Sequence, residues 1–536
     1  MRNNIVRVIF VIIVIGLVAF AAYYLNRNDE TPLSDANVID DEEGSEDITN
    51  IRVGIAELDN LNPILSKNQK VQDISKLIYE PLLSLTENYK LENTLVTQWT
   101  NIDNKTYMVK IRGGIKWHNN SDFVAKDVKF TVEKIKELGN DSIYYANVRN
   151  IEDVEIVGGN FVKFYLYEEE PFFEYNLSFP IICESFFAGE DIRNTEKNKI
   201  PMGTGMFKIN AVDLNSQIEL KANPYWWNLK NVQSKIDKIT VKIYFSTSEL
   251  YNAYKMGSID LLTTAKHKNI EEFIGKIGFN TKECSGREYD YLALNTRSSV
   301  TSNKEVRYAI NYAINKQDII NSVYEGKYIA ADYPLSYGSY LYDSNNNNYE
   351  HNPEKAKQIL NENGWGFDGK YWQKMIGGNH IRLKIDLLVD SNHGKRVDAA
   401  NKIREQLESI GIQVNVIAQR DKNYDKYLSS RSYDMLLTGV TIGIAPKLNR
   451  YFGDGNFANY YNEEIRNILE EIKSIENEDV MHEKYSILQK TYMDERIYIG
   501  LYFNGITTIY AKNLSGNVSP TWYNIYNHIE TWSRKR

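Results

Sequence analysis

Cysteine and histidine are scarce in this chain, which has two cysteines and seven histidines among its 536 residues. Two cysteines, Cys183 and Cys284, are too few for a disulfide scaffold. We expect two unpaired buried thiols, although the sequence leaves a disulfide between them open. No two histidines are closer than 13 residues in the sequence, which therefore contains no His-x-x-x-His or Cys-His metal motif.

Signatures of other enzyme classes and of nucleic-acid binding are also missing. The sequence has no G-x-S-x-G nucleophile elbow. Gly203-Thr204-Gly205 begins like a phosphate-binding loop, but Lys208 stands where the third glycine is needed. With 63 Lys and Arg against 71 Asp and Glu, the chain has no basic stripe for nucleic acid. We therefore expect no enzyme, no cofactor, no metal and no nucleic-acid partner.

The apolar run at the N-terminus is the strongest local signal that the sequence does contain. Residues 8–25 carry no charge over 18 positions and follow Arg2 and Arg7. Such a run is long enough to cross a bilayer, and the basic residues before it place the N-terminus inside. We expect an uncleaved anchor without a lipid-modified cysteine. Cleavage of a signal peptide after Ala19-Phe20-Ala21 is the alternative, and both topologies put the folded body outside the cytoplasm.

An acidic stretch separates this run from the folded body. Residues 26–50 contain nine acidic residues and one basic residue, so they have little apolar surface to bury. We expect a disordered tether that holds the body near the cell membrane, on the extracytoplasmic side. The remaining chain is too long for one core, and we expect it to form two or three lobes.

Apolar periodicity in the body predicts an α/β protein. Alternation predicts strands over residues 51–55, 107–111 and 239–245, and a spacing of three to four predicts a helix over 69–80. The strand at 107–111 runs into Gly113-Gly114, where we expect a β-hairpin. Later in the chain, a strand at 381–389 is followed by a helix that stops at Gly411 and by a further strand. This β-α-β unit implies a mixed or parallel sheet covered by helices.

Several short motifs occur in the order in which one protein family has them. They are Leu61-Asn62-Pro63, Ile78-Tyr79-Glu80-Pro81, Ile111-Arg112-Gly113-Gly114-Ile115-Lys116-Trp117-His118, Pro201-Met202-Gly203-Thr204-Gly205, Asn223-Pro224-Tyr225-Trp226, Gly257-Ser258-Ile259-Asp260, Leu294-Asn295-Thr296, Val306-Arg307-Tyr308-Ala309, and Pro353-Glu354-Lys355-Ala356 with Gly364-Trp365. Together they resemble the extracytoplasmic solute-binding proteins of ABC importers, in the oligopeptide, dipeptide and nickel class. The resemblance covers residues 51 to about 530.

The resemblance implies an α/β, bilobed periplasmic-binding-protein-like fold, in which two lobes close like a hinge and one carries an inserted subdomain. The predicted units are 1–25 as anchor or signal segment, 26–50 as tether, 51–92, 200–293 and 504–536 as lobe I, 93–199 as the inserted subdomain, and 294–503 as lobe II. The chain would cross between the lobes near Asn295 and Asn504. Trp117 and His118 would be packing and hydrogen-bonding groups rather than ligand contacts.

Peptide binders of this family hold the ligand main chain as an added strand. Carried over to this sequence, one wall of the site would be Lys67, Asn68 and Gln69, and the other Thr438, Gly439, Val440 and Thr441, with Tyr502 as a further candidate. A plain loop and a core strand are the structural alternative for these segments. Peptide binders also have an Asp about four residues after the glycine, which pairs with the peptide's α-ammonium. This chain has Gly443 there, so the sequence predicts no preference for a free amino terminus.

We therefore expect a membrane-tethered, non-catalytic, monomeric receptor that captures a small solute for an ABC importer permease, with a peptide as the first expectation. A protein of the same fold that binds another solute, such as a sugar, a signalling molecule or a chelated metal, is the second reading. The third reading is a sensor or interaction protein whose cleft no longer serves transport.

Overall fold

The computed structural model of the chain describes residues 49–232, 234–265, 278–347 and 349–535. The predicted anchor and nearly all of the predicted tether lie outside these ranges. Among the described residues, none of the helices is both long and apolar enough to cross a membrane. Cys183 and Cys284 are both free thiols, as expected, and only Cys183 is fully buried.

Helices and strands are interspersed along the body. The helices are α1 Gln69–Ile78, α2 Ala125–Leu138, α3 Tyr145–Val148, α4 Glu184–Phe187, α5 Thr247–Lys255, α6 Lys304–Ala313, α7 Lys316–Val323, α8 Pro353–Glu362, α9 Gly394–Ser409, α10 Asp421–Ser430, α11 Asn449–Phe452, α12 Glu463–Glu471 and α13 Glu478–Glu495. The strands are β1 Asn50–Ala56, β2 Leu83–Leu85, β3 Leu91–Asn93, β4 Val96–Asn101, β5 Thr106–Ile111, β6 Ile151–Val157, β7 Phe161–Leu166, β8 Phe207–Asp213, β9 Gln217–Ala222, β10 Lys238–Tyr244, β11 Leu261–Ala265, β12 Phe279–Leu294, β13 Tyr328–Ala330, β14 Gly366–Phe367, β15 Trp372–Ile376, β16 Asn379–Arg382, β17 Lys384–Asp390, β18 Gln413–Gln419, β19 Met435–Thr441, β20 Tyr498–Ala511, β21 Leu514–Ser515 and β22 Ser533–Arg534.

A four-stranded sheet of order β1-β10-β9-β8 organises the first half of the chain. Strand β1 pairs in parallel with β10, so that Ile51 lies opposite Ile239 and Val53 opposite Val241. All four side chains are buried, because alternate residues of a strand face the same side of the sheet. The strands predicted from alternating apolar residues at 51–55 and 239–245 are therefore confirmed, and each buries one face.

The inserted segment has its own four-stranded sheet, of order β4-β5-β7-β6. The hairpin expected at Gly113-Gly114 is wrong in its pairing, because β5 lies between β4 and β7. Both edges of β5 are thus occupied, and the residues after the glycines cannot pair with it. They fold back on themselves instead, with Lys116 opposite Asp122 in an isolated bridge.

Three of the family-like motifs meet at the buried carboxylate of Glu80. Its Oε1 accepts hydrogen bonds from the indole N–H groups of Trp226 (2.9 Å) and Trp227 (3.0 Å). Its Oε2 accepts one from the hydroxyl of Thr204 (2.8 Å). Burial raises the pKa of Glu80 to about 7, although these three donors oppose the rise. The motifs around residues 80, 204 and 226 therefore serve the fold of the first half.

Trp117 and His118 are structural groups, as the sequence predicted. The buried Trp117 donates its indole N–H to Asp127 Oδ2 at 3.1 Å. His118 Nδ1 accepts from the Gly203 amide at 3.3 Å, and its Nε2 lies 3.2 Å from the Gly205 carbonyl oxygen, to which it can donate. Burial lowers the pKa of His118 to about 4, so the ring is neutral at neutral pH.

Gly203 and Gly205 allow this loop to lie directly on the end of α1. A Cβ at Gly203 would overlap with the carbonyl oxygen of Ile78, and one at Gly205 would lie 2.8 Å from the same oxygen. The Gly205 amide donates a hydrogen bond to that oxygen at 2.9 Å. The glycines are needed for this close backbone approach rather than for a phosphate ligand.

A larger sheet of order β11-β20-β12-β19-β17-β18 organises the second half, with β13 also paired to β20. Strands β17 and β18 are parallel and are connected through α9, which confirms the predicted β-α-β unit. Apolar side chains of the strands and of α9 form the core between them, including Leu387, Ala400, Ile403 and Leu407.

The two longest strands of this sheet, β12 and β20, connect the two halves. The outer part of β12 pairs with β20 beside β11, with Phe279 opposite Ala511. The inner part pairs with β20 and β19 in the second half, and the register of the β12–β20 ladder shifts between Ser285 and Tyr289. Asn504 lies opposite this irregularity, where its side-chain oxygen accepts a hydrogen bond from the Glu288 amide at 2.9 Å.

Replacement of Gly203 tests the close approach to α1. We expect Gly203→Ala to lower the free energy of unfolding by about 1–3 kcal/mol, because the added methyl group forces the loop away from Ile78. Gly113→Ala is the matched control, since a Cβ there meets no atom within 4 Å. Urea denaturation of the purified full-length protein measures both variants. Equal stability of the two variants would contradict this packing.

Candidate functional site

The end of β19 forms one wall of a cavity in the second half. Strand β19 pairs with β12 up to Thr441, but its parallel ladder with β17 ends at Leu437. Beyond Leu437, the edge that β17 occupied opens onto a cavity of about 510 Å³. Its lining residues are Glu288, Asp290, Tyr324, Tyr328, His393, Gly394, Lys395, Arg396, Gly439, Val440 and Thr441. Three of the predicted ligand residues therefore line this cavity, and Thr438 directly precedes them.

An ion pair between Asp290 and Arg396 forms the floor of this strand-end cavity. Arg396 Nε donates to Asp290 Oδ2 at 3.0 Å, and Nη2 donates to Oδ1 at 2.9 Å. Burial by itself would lower the pKa of Arg396, but its bonds to Asp290 raise it; burial also raises the pKa of Asp290, although the bonds from Arg396 oppose that rise. A Cβ at Gly439 would overlap with both side chains. Gly439 is therefore the residue that lets the ion pair lie against β19.

Tyr502 lies beneath the strand-end cavity rather than in its wall. Its ring is fully buried, and its hydroxyl donates to the Tyr324 hydroxyl at 3.0 Å. Tyr324 in turn packs on Tyr328, with ring centroids 4.2 Å apart. Both of these outer tyrosines line the cavity. In this structure the predicted ligand residue Tyr502 supports two other tyrosines that are better placed for a ligand.

The predicted wall at Lys67, Asn68 and Gln69 lies at the start of α1. Asn68 is the N-cap of α1, and its side-chain amide also donates to the Ala56 carbonyl oxygen at 2.7 Å. Gln69 donates to Asp73 at 2.9 Å, whereas Lys67 is exposed. Asn68 lines a separate cavity of about 420 Å³ in the first half. The two predicted walls thus belong to different cavities, and their joint contact with one ligand stays a prediction.

The end of β19 and the loop after it reach a further cavity, of about 420 Å³, which Asn176 from the predicted inserted subdomain also lines. Val440 and Gly443 lie on one side of it and Asn176 on the other. A Cβ at Gly443 would come no closer than 3.7 Å to the Ala445 carbonyl oxygen. The glycine at this position therefore leaves open space where the related peptide binders are expected to carry a carboxylate.

Sequence reasoning missed Asp290, Arg396 and Tyr324. Asp290 had a detectable signal, because it is a charged residue within the otherwise apolar end of β12, Tyr289–Leu294. A charge in such a strand needs a partner. Arg396 had no comparable signal, since it lies more than 100 residues away and only the fold brings it to Asp290.

Replacement of Gly439 tests the packing of the ion pair against β19. We expect Gly439→Ala to lower the free energy of unfolding by about 1–3 kcal/mol, because Asp290 is short and buried and cannot yield without loss of its bonds. Gly443→Ala is the matched control in the same segment, and we expect a change within about 0.5 kcal/mol. Thermal unfolding of both full-length variants provides the measurement. A Gly439→Ala protein as stable as the control would show that the pair can move away.

Comparison with known proteins finds binding proteins for small solutes among the relatives. The oligopeptide-binding protein AppA of Bacillus subtilis is 25% identical over 505 residues, which cover 88% of this chain and 89% of the relative. The solved structure of the periplasmic murein tripeptide-binding protein MppA, in its unliganded open form, matches with a TM-score of 0.75 at 16% identity, covering 91% of this chain and 98% of that one. A nickel ABC transporter structure from Bacillus halodurans matches with a TM-score of 0.71 at 19% identity, covering 90% and 98%.

These structural likenesses confirm the predicted α/β, bilobed periplasmic-binding-protein-like fold. The family model described as bacterial extracellular solute-binding proteins, family 5 Middle, matches residues 90–458. That range exceeds half of the chain and includes both the inserted sheet and the strand-end cavity. The chain belongs to the bacterial extracellular solute-binding proteins of family 5.

Proposed function

We propose that this protein is a receptor that captures a small extracellular solute, a peptide in the first place, and delivers it to the permease of an ABC importer. The observation that carries the proposal is the edge of β19 beyond Leu437, which borders a cavity instead of a neighbouring strand. An edge of this kind can hold an extended peptide through main-chain hydrogen bonds. AppA and MppA are relatives whose names describe peptide binding.

A non-peptide solute is the second candidate for the same site. The Bacillus halodurans structure is described as a nickel transporter, so the fold also occurs in proteins named for a metal. A chelated metal or a sugar would use the ion pair and the tyrosines of the strand-end cavity rather than the strand edge. A receptor for either ligand needs no catalysis, and we propose a non-catalytic monomer that does not bind nucleic acid.

We propose that the two halves act as lobes that close on the ligand. We keep the prediction that the chain crosses between the lobes for the second time at Asn504, because this residue faces the irregularity of the β12–β20 ladder. The first crossing is better placed at Ser285–Tyr289 than at Asn295. Leu292 and Leu294 already belong to the core of the second half, and Asn295 donates a hydrogen bond to the Tyr433 carbonyl oxygen there at 2.9 Å.

Ligand-induced closure tests the receptor function. We expect short peptides of three to five residues to bind the full-length protein in calorimetry and to decrease its radius of gyration in small-angle X-ray scattering. Closure follows because each lobe alone supplies only part of the contacts. A tightly bound peptide that leaves the radius unchanged would contradict the hinge. Binding of a sugar or a nickel chelate, with no binding of peptides, would favour the second candidate.

The membrane anchor is part of the same proposal and is tested separately. The uncharged run at residues 8–25 supports an uncleaved helix that tethers the receptor to the cell membrane. We expect N-terminal sequencing of the membrane-extracted protein to find residues from before this run. A mature terminus near Ala22 would show that the run is a cleaved signal peptide.

A further inference from the structure

A cavity of about 430 Å³ lies where the inserted subdomain meets the second half, apart from the strand-end cavity. Strand β4 and the turn before Phe173–Leu177 line one side, and the start of α13 lines the other. Four aromatic side chains line this junction cavity, namely Trp99, Phe172, Tyr175 and Tyr340. Aromatic rings around a cavity offer π faces to a cation.

Glu174 lines the junction cavity with a carboxylate that has no counter-ion among the described residues. The residue is only 7% exposed, and its Oε2 has no hydrogen-bond partner there. Lys447 and Lys90, of which Lys90 also lines this cavity, are paired with other carboxylates. Lys447 binds Glu170 at 3.1 Å, and Lys90 binds Glu478 at 2.7 Å.

A buried carboxylate without a partner is costly unless something neutralises it. Burial raises the pKa of Glu174 to about 7, although its own amide and the more distant Lys447 oppose the rise. Near neutral pH this group can therefore lose its proton when a positive charge enters the cavity. Glu476, which lines the same cavity but is exposed, adds to the negative potential at its rim.

The backbone that presents Glu174 has an unusual conformation. Phe172 has φ +65°, in the left-handed region that bulky residues seldom adopt. The turn of Phe173–Leu177 follows directly, and the hydroxyls of Tyr175 and Tyr340, which both line the cavity, lie 3.3 Å apart. Strain of this kind persists where the surroundings hold it in place and is concentrated at ligand sites.

We propose that the junction cavity is a binding site for a compact organic cation, an ammonium group above all, with Glu174 as the counter-ion and the four aromatic rings as its walls. The proposal rests on the proposed receptor function, in which this group is part of the captured solute. For a peptide, the ammonium comes from the amino terminus or from a lysine side chain. Where the amino terminus supplies the ammonium, this site reverses the expectation drawn from Gly443, because Glu174 provides the carboxylate instead.

Calorimetry on the full-length protein tests the site with three peptide probes. They are trialanine, N-acetyl-trialanine, and N-acetyl-Ala-Lys-Ala-amide, so that the α-ammonium and the side-chain ammonium are tested separately. We expect Glu174→Gln to weaken the probe that carries the recognised ammonium about tenfold or more, and to leave N-acetyl-trialanine unchanged. Glu476→Gln is the matched control, with the same loss of charge at an exposed position of the cavity, and we expect less than a threefold effect.

The possible outcomes distinguish a failure of the cation site from a failure of the receptor function. Peptides that bind the wild type and Glu174→Gln equally would overturn the cation site and leave the receptor function intact. If none of the peptides binds, the peptide assignment fails, and the effect of small organic cations on the Tm then tests the cation site. Methylammonium, guanidinium and tetramethylammonium chloride, against sodium chloride at equal ionic strength, should then raise the Tm of the wild type but not of Glu174→Gln. The absence of any such difference would overturn the site as well.

Discussion

The antiparallel pairing of β12 with β20 is the constraint on which the rest of the structure depends. These two strands belong to the sheet of the second half and extend to β11, whose own residues lie in the first half of the sequence. Their backbone hydrogen bonds connect the two halves of the chain. The β12–β20 ladder is interrupted at Ser285–Tyr289, opposite Asn504. This interruption is the place where we propose that the two halves turn relative to each other, because few ladder bonds must break there.

The family-like motifs and the charged groups of the cavities occupy different parts of this protein. The motifs around Glu80, His118 and Thr204 form a buried hydrogen-bond network that holds a loop on the end of α1. The charged groups of the cavities, by contrast, come from positions outside those motifs, such as Asp290 and Glu174. A fold shared by receptors for different solutes needs such a division, since the frame must stay constant while the lining of the cleft changes.

The strands and helices that follow a clear apolar period were predictable. β1, β10 and the β17-α9-β18 unit have the predicted type and place, because burial of one face imposes a period of two or of three to four on the sequence. The strands that pair with β5 were not predictable from the residues of β5 alone. Both of its edges are taken by β4 and β7, and β7 lies some 50 residues further along the chain.

The α/β class could be predicted from residue patterns alone, and the resemblance to the family led to the segment Gly439–Thr441, which lines a cavity. The class follows from local side-chain period, whereas the segment was carried over from the resemblance. Which charges meet depends on the tertiary structure. Asp290 and Arg396 form an ion pair across more than 100 residues, whereas the buried Glu174 Oε2 has no hydrogen-bond partner among the described residues, in which Lys447 pairs with Glu170. Electrostatic partners are chosen by distance and burial, and neither quantity exists before the chain has folded.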